Sequence, residues 1–118
     1  MRTKQQVAEI IAELCGKVAL LFPQNEIEAI LFGSYARGEA DAESDIDVLL
    51  LVDASRQDIS ARNWQVGDLA AELLLAHGIV VSPIVENREY FNNHLELFPF
   101  YRNINSEAQS IARLRSTN

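Results

Sequence analysis

The sequence has few of the residues from which cross-linked and zinc-held frameworks are built. It contains one cysteine, Cys15, and two histidines among 118 residues, which excludes an intrachain disulfide and a zinc cluster. No apolar stretch approaches the length that crosses a membrane, and the first residues show no apolar segment of the secretory kind. We therefore expect a cytoplasmic protein without a membrane partner, in which Cys15 is a small buried apolar side chain.

Basic residues are also scarce. Lysine and arginine together number 10 against 17 aspartates and glutamates, so the formal net charge is −7. Extended binding to nucleic acid requires a basic stripe that contacts the phosphates, and this composition argues against it. A nucleotide held through a divalent cation is still compatible with the charge, because the cation supplies the positive charge that the protein lacks.

Proline and glycine are few, at three and five residues, and 48% of the chain is hydrophobic, which favours an ordinary globular chain over disorder. The length predicts a single domain over residues 1–118. Apolar periodicity predicts an α/β (α+β) fold with a small mixed β-sheet and helices on one face. The predicted elements are a helix from Thr3 to Phe22, strands over 25–32, 45–52 and 79–85, and helices over 55–77 and 88–97, before a basic tail.

Two short segments carry the chemistry. Gly33 and Ser34 end an apolar run, and Asp45 and Asp47 open the next one. Because side chains alternate along a strand, these two aspartates point to the same face, and paired carboxylates are ligands that Mg²⁺ accepts. Glycine allows the backbone to approach a phosphate closely, and the serine adds a hydroxyl donor.

Arg37 follows this turn and is the only basic residue between Lys17 and Arg56. It is the natural counter-charge for phosphates. A surface pairing with Glu39 or Asp41 is an equally good interpretation of Arg37. The two aspartates, taken alone, are also typical of solubilising residues at the entrance of a strand, but the glycine-serine turn upstream favours the metal site.

The pattern Gly33-Ser34-x-x-x-Gly38, followed by Ser44-Asp45-Ile46-Asp47, resembles the signature of the DNA polymerase beta-type nucleotidyltransferase superfamily. The size of the chain is similar to that of the minimal nucleotidyltransferase (MNT-like) domains, which include the nucleotide-transferring partners of HEPN-domain toxins. The resemblance implies that Asp45 and Asp47 are catalytic ligands of Mg²⁺ or Mn²⁺ and that Gly33 and Ser34 bind the triphosphate. The nucleotide-binding role of Arg37 is an inference from its charge.

The activity that the resemblance implies is Mg²⁺-dependent transfer of a nucleoside monophosphate from a nucleoside triphosphate, such as ATP, to a hydroxyl. That hydroxyl would belong to a partner protein, HEPN-like or other, or to a small molecule. Because the chain is small for a separate acceptor-recognition domain, a toxin–antitoxin type of complex and a homo-oligomer are both expected arrangements.

Active members of the superfamily carry a third carboxylate on a neighbouring strand, and residues 80–85 contain no acid. Ser82 and Glu86 are the two candidates for the third position. Asp53 shares the face of Asp47 but lies about 20 Å further along the strand. An acid within metal reach of Asp47 favours an enzyme. Ser82 in its place favours the alternative, a catalytically weak or inactive, antitoxin-like nucleotide-binding subunit.

Overall fold

The computed structural model describes residues 1–115 and contains one four-stranded mixed sheet with five helices. The chain order alternates helices and strands up to the last two helices, and the predicted α/β class with a small mixed sheet is confirmed, although helices pack on both faces of the sheet and not on one as expected. The elements are α1 (Lys4–Leu21), β1 (Glu26–Phe32), α2 (Ser34–Arg37), β2 (Ile46–Val52), α3 (Arg56–His77), β3 (Val81–Asn87), α4 (Arg88–Asn93), α5 (Pro99–Glu107) and β4 (Gln109–Arg115).

The order of strands in the sheet is β3-β2-β1-β4. The central strands β1 and β2 are antiparallel, and Phe32 pairs with Asp47. On one side β3 runs parallel to β2, where Ser82 pairs with Asp47. On the other side β4 runs antiparallel to β1, where Gln109 pairs with Leu31. The end of β1 and the start of β2 therefore meet at one edge of the sheet.

Both faces of the sheet are covered by apolar side chains, because β1 and β2 are apolar at nearly every position. The larger core lies between the sheet and the two long helices α1 and α3, and includes Leu14, Ile27 and Leu50. A smaller cluster on the opposite face packs Ile30 and Leu49 against residues of α4 and α5. The sheet is thus a rigid middle layer that holds its edge residues in place.

The helix ends follow the local sequence signals. Thr3 caps α1 in a capping box with Gln6, which satisfies two backbone donors of the first turn. Ser55 accepts a hydrogen bond from the backbone of Asp58 at the start of α3, and Gly78 ends that helix in the left-handed conformation, where glycine is preferred. These predicted boundaries are confirmed.

Several element boundaries differ from the sequence expectation. The third strand covers Val81–Asn87 and not residues 79–85, and α4 ends at Asn93, although the helix was expected to reach residue 97. Pro83 lies on this strand, which is an edge of the sheet as expected for a proline. The helix α5 and the strand β4 occupy the segment that we expected to be a basic tail.

Cys15 is buried, and burial raises the pKa of its thiol to about 11. None of the helices in residues 1–115 has the length and apolar character needed to cross a membrane.

Candidate active site

The turn after β1 has a backbone conformation that only glycine adopts readily. Gly33 has φ 78° and ψ −158° and forms the N-terminal boundary of α2, a region of the dihedral map that is essentially restricted to glycine. A Cβ atom at this position would lie 2.3 Å from Oδ2 of Asp47. The carboxylate of Asp47 therefore lies directly against the glycine backbone, which joins the two sequence motifs in one site.

Asp45 and Asp47 both belong to the rim of the sheet. Asp45 is exposed one residue before β2, while Asp47 is half-buried within it. Neither carboxylate accepts a hydrogen bond from any residue in the described part of the chain. Desolvation, and then the charge of Asp45, raise the pKa of Asp47, although Arg37 opposes that shift. Two like charges without a hydrogen-bond donor are a pair that a cation would stabilise.

The donors fit a hard divalent cation. Carboxylate oxygens are the preferred ligands of Mg²⁺, which commonly takes one or two carboxylates and completes its coordination with phosphate oxygens and water. Within residues 1–115 no three His, Cys, Asp or Glu side chains gather closely enough to hold a metal by themselves. The site is thus suited to a cation that arrives together with a phosphate ligand, with Asp45 and Asp47 as the protein ligands.

Ser34 and Arg37 lie in the single turn of α2 that follows Gly33. Nε of Arg37 donates to Glu39 at 2.7 Å, and Nη1 of Arg37 donates to Glu107. The Glu39 contact is the surface pairing that we considered as the alternative for this arginine. Arg37 also acts electrostatically on Asp47. The arginine is therefore close to the acidic rim and is held by two carboxylates.

Ser82, not Glu86, occupies the position on β3 next to Asp47. The register pairs Ser82 with Asp47 and Glu86 with Leu51, which puts Glu86 four residues, about 13 Å, further along the strand. Glu86 is buried, and its carboxylate accepts hydrogen bonds from Arg56 and Tyr101. It is bound within a separate network and does not belong to the site.

Glu107, the last residue of α5, is an acidic residue near the site that our sequence analysis did not identify. Its charge raises the pKa of Asp47, after the larger effects of desolvation and Asp45. The sequence signal that could have revealed this helix, and with it Glu107, is the start of α5. Pro99 at the first helical position, with Phe100, Tyr101 and Ile104 following at helical spacing, is typical of a helix N-terminus with an apolar face.

Known proteins resemble this chain in sequence and in fold. The model of a family described as "Nucleotidyltransferase domain" matches residues 7–110. Two proteins of Methanocaldococcus jannaschii, each named "Putative protein adenylyltransferase", are 42% and 35% identical over 80 residues, which is 68% of this chain and 72% and 79% of those proteins. A third protein of that name and organism is 34% identical over 73% of this chain and 59% of its own length.

One solved structure also shares the fold. A chain in the crystal structure of a toxin–antitoxin with AMP-PNP superimposes with a TM-score of 0.58 at 20% sequence identity, over 89% of this chain and 72% of that chain. At that identity the likeness concerns the fold. The match to the family model extends over most of the sequence and includes both motifs of the site. The chain belongs to the nucleotidyltransferase domain family.

Proposed function

We propose that this protein is an adenylyltransferase that depends on Mg²⁺ or Mn²⁺ and transfers AMP from ATP to a hydroxyl group of a protein. The observation that carries the proposal is the contact between Gly33 and the hydrogen-bond-free carboxylate of Asp47, which unites a phosphate-binding turn with a cation-binding pair. The choice of adenine, and of a protein as acceptor, is supported by the names of the relatives from Methanocaldococcus jannaschii.

Each residue of the site has a role in this proposal. Asp45 and Asp47 hold the cation, while Gly33 and Ser34 seat the triphosphate against the backbone of the turn. Arg37 leaves its surface carboxylates and contacts the phosphates. When bound, the cation supplies positive charge that neutralises the triphosphate oxygens.

The reaction is a substitution at the α-phosphorus. The acceptor oxygen forms a bond to that phosphorus, the bond to the β-phosphate oxygen breaks, and pyrophosphate leaves with the electron pair. The acceptor hydroxyl releases its proton to solvent. The protein contributes position and charge: the turn fixes the phosphates, and the rigid sheet fixes the aspartates relative to the turn.

We place the acceptor hydroxyl on a partner protein in the cytoplasm. The fold neighbour is part of a toxin–antitoxin that was crystallised with AMP-PNP, which supports both an adenine nucleotide and a two-protein assembly. A HEPN-like protein is one such partner. A second copy of this chain, or a small molecule bound between copies, is the other arrangement that would supply a hydroxyl.

Incubation with each of the four radiolabelled nucleoside triphosphates and Mg²⁺, with and without the protein encoded beside it, tests this proposal. We expect label from α-³²P-ATP, but not from γ-³²P-ATP, to appear on protein. Asp45→Asn and Asp47→Asn should each abolish labelling. Asp53→Asn removes a carboxylate that lies past the end of β2 and near Arg88, so it should retain activity. Failure of the wild-type chain to bind any triphosphate would contradict the proposal.

A second candidate function is an inactive nucleotide-binding subunit. The observation that favours it is Ser82 at the register position beside Asp47, where the resemblance implies a third carboxylate. In that case ATP and cation bind without transfer. Ser82→Asp would then be expected to introduce transfer activity, whereas in an active enzyme the same substitution should alter an existing rate.

A further inference from the structure

An exposed aromatic ring lies close to the aspartates. Of the exposed aromatic side chains in the described part of the chain, Trp64 belongs to α3 on the opposite face of the sheet, and Phe98 packs on α4. The ring of Phe100 in α5 is 50% exposed and meets the ring of Phe32 edge to face, with 6.0 Å between the centroids. Phe32 pairs with Asp47, and directly opposed residues of an antiparallel pair share one face of the sheet. Phe100 is therefore separated from Asp47 by one side chain.

The helix α5 lies on this face with one flank toward the site. On its other flank Tyr101 donates to Glu86, toward the opposite edge of the sheet. Phe100 and Glu107 are seven residues apart, so they lie on the same side of the helix, and Glu107 meets Arg37 of α2. The flank toward the site therefore extends from the neighbourhood of Arg37 to Phe100, a length of about 10 Å.

This flank offers a path for a nucleotide whose phosphates bind at the Gly33 turn and Arg37. The residue between the two ends of the flank is Asn103, an exposed polar side chain in the smaller helix α5, which leaves room for a ribose. A base at the far end of the nucleotide then reaches the half-exposed ring of Phe100. Because a base is neutral, its stacking adds affinity that the net charge of −7 does not oppose.

We propose that Phe100 is the stacking platform for the base of a nucleoside triphosphate bound at this site. This inference rests on the proposed function, because it requires a triphosphate at the Gly33 turn. It goes further by naming the residue that makes the site selective for a nucleotide over other polyphosphates. The edge-to-face contact with Phe32 holds the ring in place before the nucleotide binds, so that little side-chain freedom is lost on binding.

The test compares Phe100→Leu with Phe98→Leu, since each replaces an exposed aromatic ring of neighbouring sequence by an aliphatic side chain. Calorimetry measures the affinity for Mg²⁺-AMP-PNP and for Mg²⁺-tripolyphosphate, which has the phosphates without the base. Phe100→Leu should weaken binding of AMP-PNP about tenfold and leave binding of tripolyphosphate unchanged. Phe98→Leu should leave both unchanged, and Phe100→Tyr, which keeps a ring, should bind AMP-PNP within about twofold of the wild type.

A fluorescence measurement reports the stacking directly. In a Trp64→Phe background, Phe100→Trp places the single indole of the chain at the platform, and Mg²⁺-AMP-PNP should quench its fluorescence whereas Mg²⁺-tripolyphosphate should not. Circular dichroism and the thermal midpoint confirm that each variant is folded.

Three results would overturn the inference. Equal losses for both ligands in Phe100→Leu would mean that the ring only supports Phe32 and Asp47. An unchanged affinity for AMP-PNP would mean that the exposed ring serves another contact, such as one with a partner protein. Fluorescence that AMP-PNP leaves unquenched would exclude stacking whatever the affinities are. A wild-type protein that binds neither ligand overturns the proposed function itself, so the wild-type titrations separate that failure from a failure of the inference.

Discussion

Two glycines with positive φ have different neighbours and different ψ angles, −158° at Gly33 and 23° at Gly38. Gly33 and Gly38 have φ values of 78° and 74°, but a Cβ at Gly33 meets Asp47 whereas a Cβ at Gly38 meets nothing within 4 Å. Alanine at Gly38 should lower the free energy of unfolding by about 1–2 kcal/mol through the left-handed backbone alone, whereas the conformation of Gly33 is one that only glycine adopts readily. We expect Gly33→Ala to cost more than Gly38→Ala.

The same pair of variants separates stability from binding. Gly33→Ala should displace the carboxylate of Asp47 and remove detectable binding of Mg²⁺-ATP, while Gly38→Ala should retain binding within a few fold. Urea unfolding and calorimetric titration of both variants check this. Equal losses of binding in the two variants would contradict the role that we assign to the contact between Gly33 and Asp47.

A second prediction at the residue scale concerns pH. Burial and the charge of Asp45 raise the pKa of Asp47 in the folded protein, so the folded state binds a proton at this carboxyl more tightly than the unfolded chain does. The stability of the folded state therefore falls as the pH rises from the pKa of Asp47 in the unfolded chain to its pKa in the folded protein. Above that range the ionised carboxylate is destabilising. Asp47→Asn should raise the thermal midpoint at pH 7–8.

The gain from Asp47→Asn should disappear as the pH falls below the pKa of Asp47 in the unfolded chain, because the wild-type carboxyl is then neutral in both states. Thermal midpoints of the two proteins between pH 3 and 8, in EDTA, give the comparison. A gain that is independent of pH would instead point to a packing effect of the amide. The expected pattern is that of a functional residue held at a cost to stability.

Among the structural elements, the contacts of β3 with α3 and α5 indicate a structural role for Glu86. Its carboxylate accepts from Arg56 at 3.2 and 3.3 Å and from the hydroxyl of Tyr101 at 2.7 Å. Glu86→Gln places an amide nitrogen, which can only donate, among these donors. We expect it to lower the free energy of unfolding by about 1–3 kcal/mol and to leave cation and nucleotide binding unchanged.

The matched control for Glu86→Gln is Glu89→Gln, an exposed position in α4 where the same chemical change should be nearly neutral. Denaturant unfolding of both variants and one Mn²⁺ titration in the presence of AMP-PNP decide the assignment. If folded Glu86→Gln bound Mn²⁺ more weakly than the wild type does, Glu86 would belong to the cation site, contrary to the register of β2 and β3.

The elements that the sequence predicted best are those that local signals determine. Thr3, Ser55 and Gly78 mark helix ends, and their side chains or dihedral angles act within one turn. The two motifs of the site were also visible, because glycine and paired aspartates have specific local geometry. By contrast, β4 was not predicted. Its residues 109–115 include two arginines, and the strand forms by pairing with β1, more than 70 residues earlier.

The position of Glu107 was unpredictable for the same reason. Its approach to the site depends on the pairing of β4 with β1 and on the packing of α5 against the smaller cluster, neither of which leaves a local pattern at residue 107. The parallel register that pairs Ser82 with Asp47 is likewise a property of the assembled sheet. Sequence reasoning brought Gly33 and Asp47 into one candidate site, as their contact in the structure agrees, whereas the residues beside Asp47 follow from tertiary contacts.

At the scale of the whole molecule, the net charge of −7 opposes the binding of a polyanion. A free triphosphate has to approach a protein with an acidic rim, and only a divalent cation reduces both charges at once. The affinity for ATP should therefore depend strongly on the cation. We expect ATP with Mg²⁺ to raise the thermal midpoint, and ATP in EDTA or Mg²⁺ alone to have little effect.

The size of this shift follows from linkage. A ligand present at 100 times its dissociation constant stabilises the folded state by about 2.7 kcal/mol, which raises the midpoint by several degrees for a chain of this size. A thermal-shift titration of the wild type, Asp45→Asn and Asp53→Asn with Mg²⁺-ATP checks the prediction. Asp45→Asn should lose the shift of the thermal midpoint, and Asp53→Asn should keep it. An equal shift with ATP in EDTA would contradict the cation-dependent site, because the triphosphate would then bind the acidic protein without the positive charge that Asp45 and Asp47 are placed to recruit.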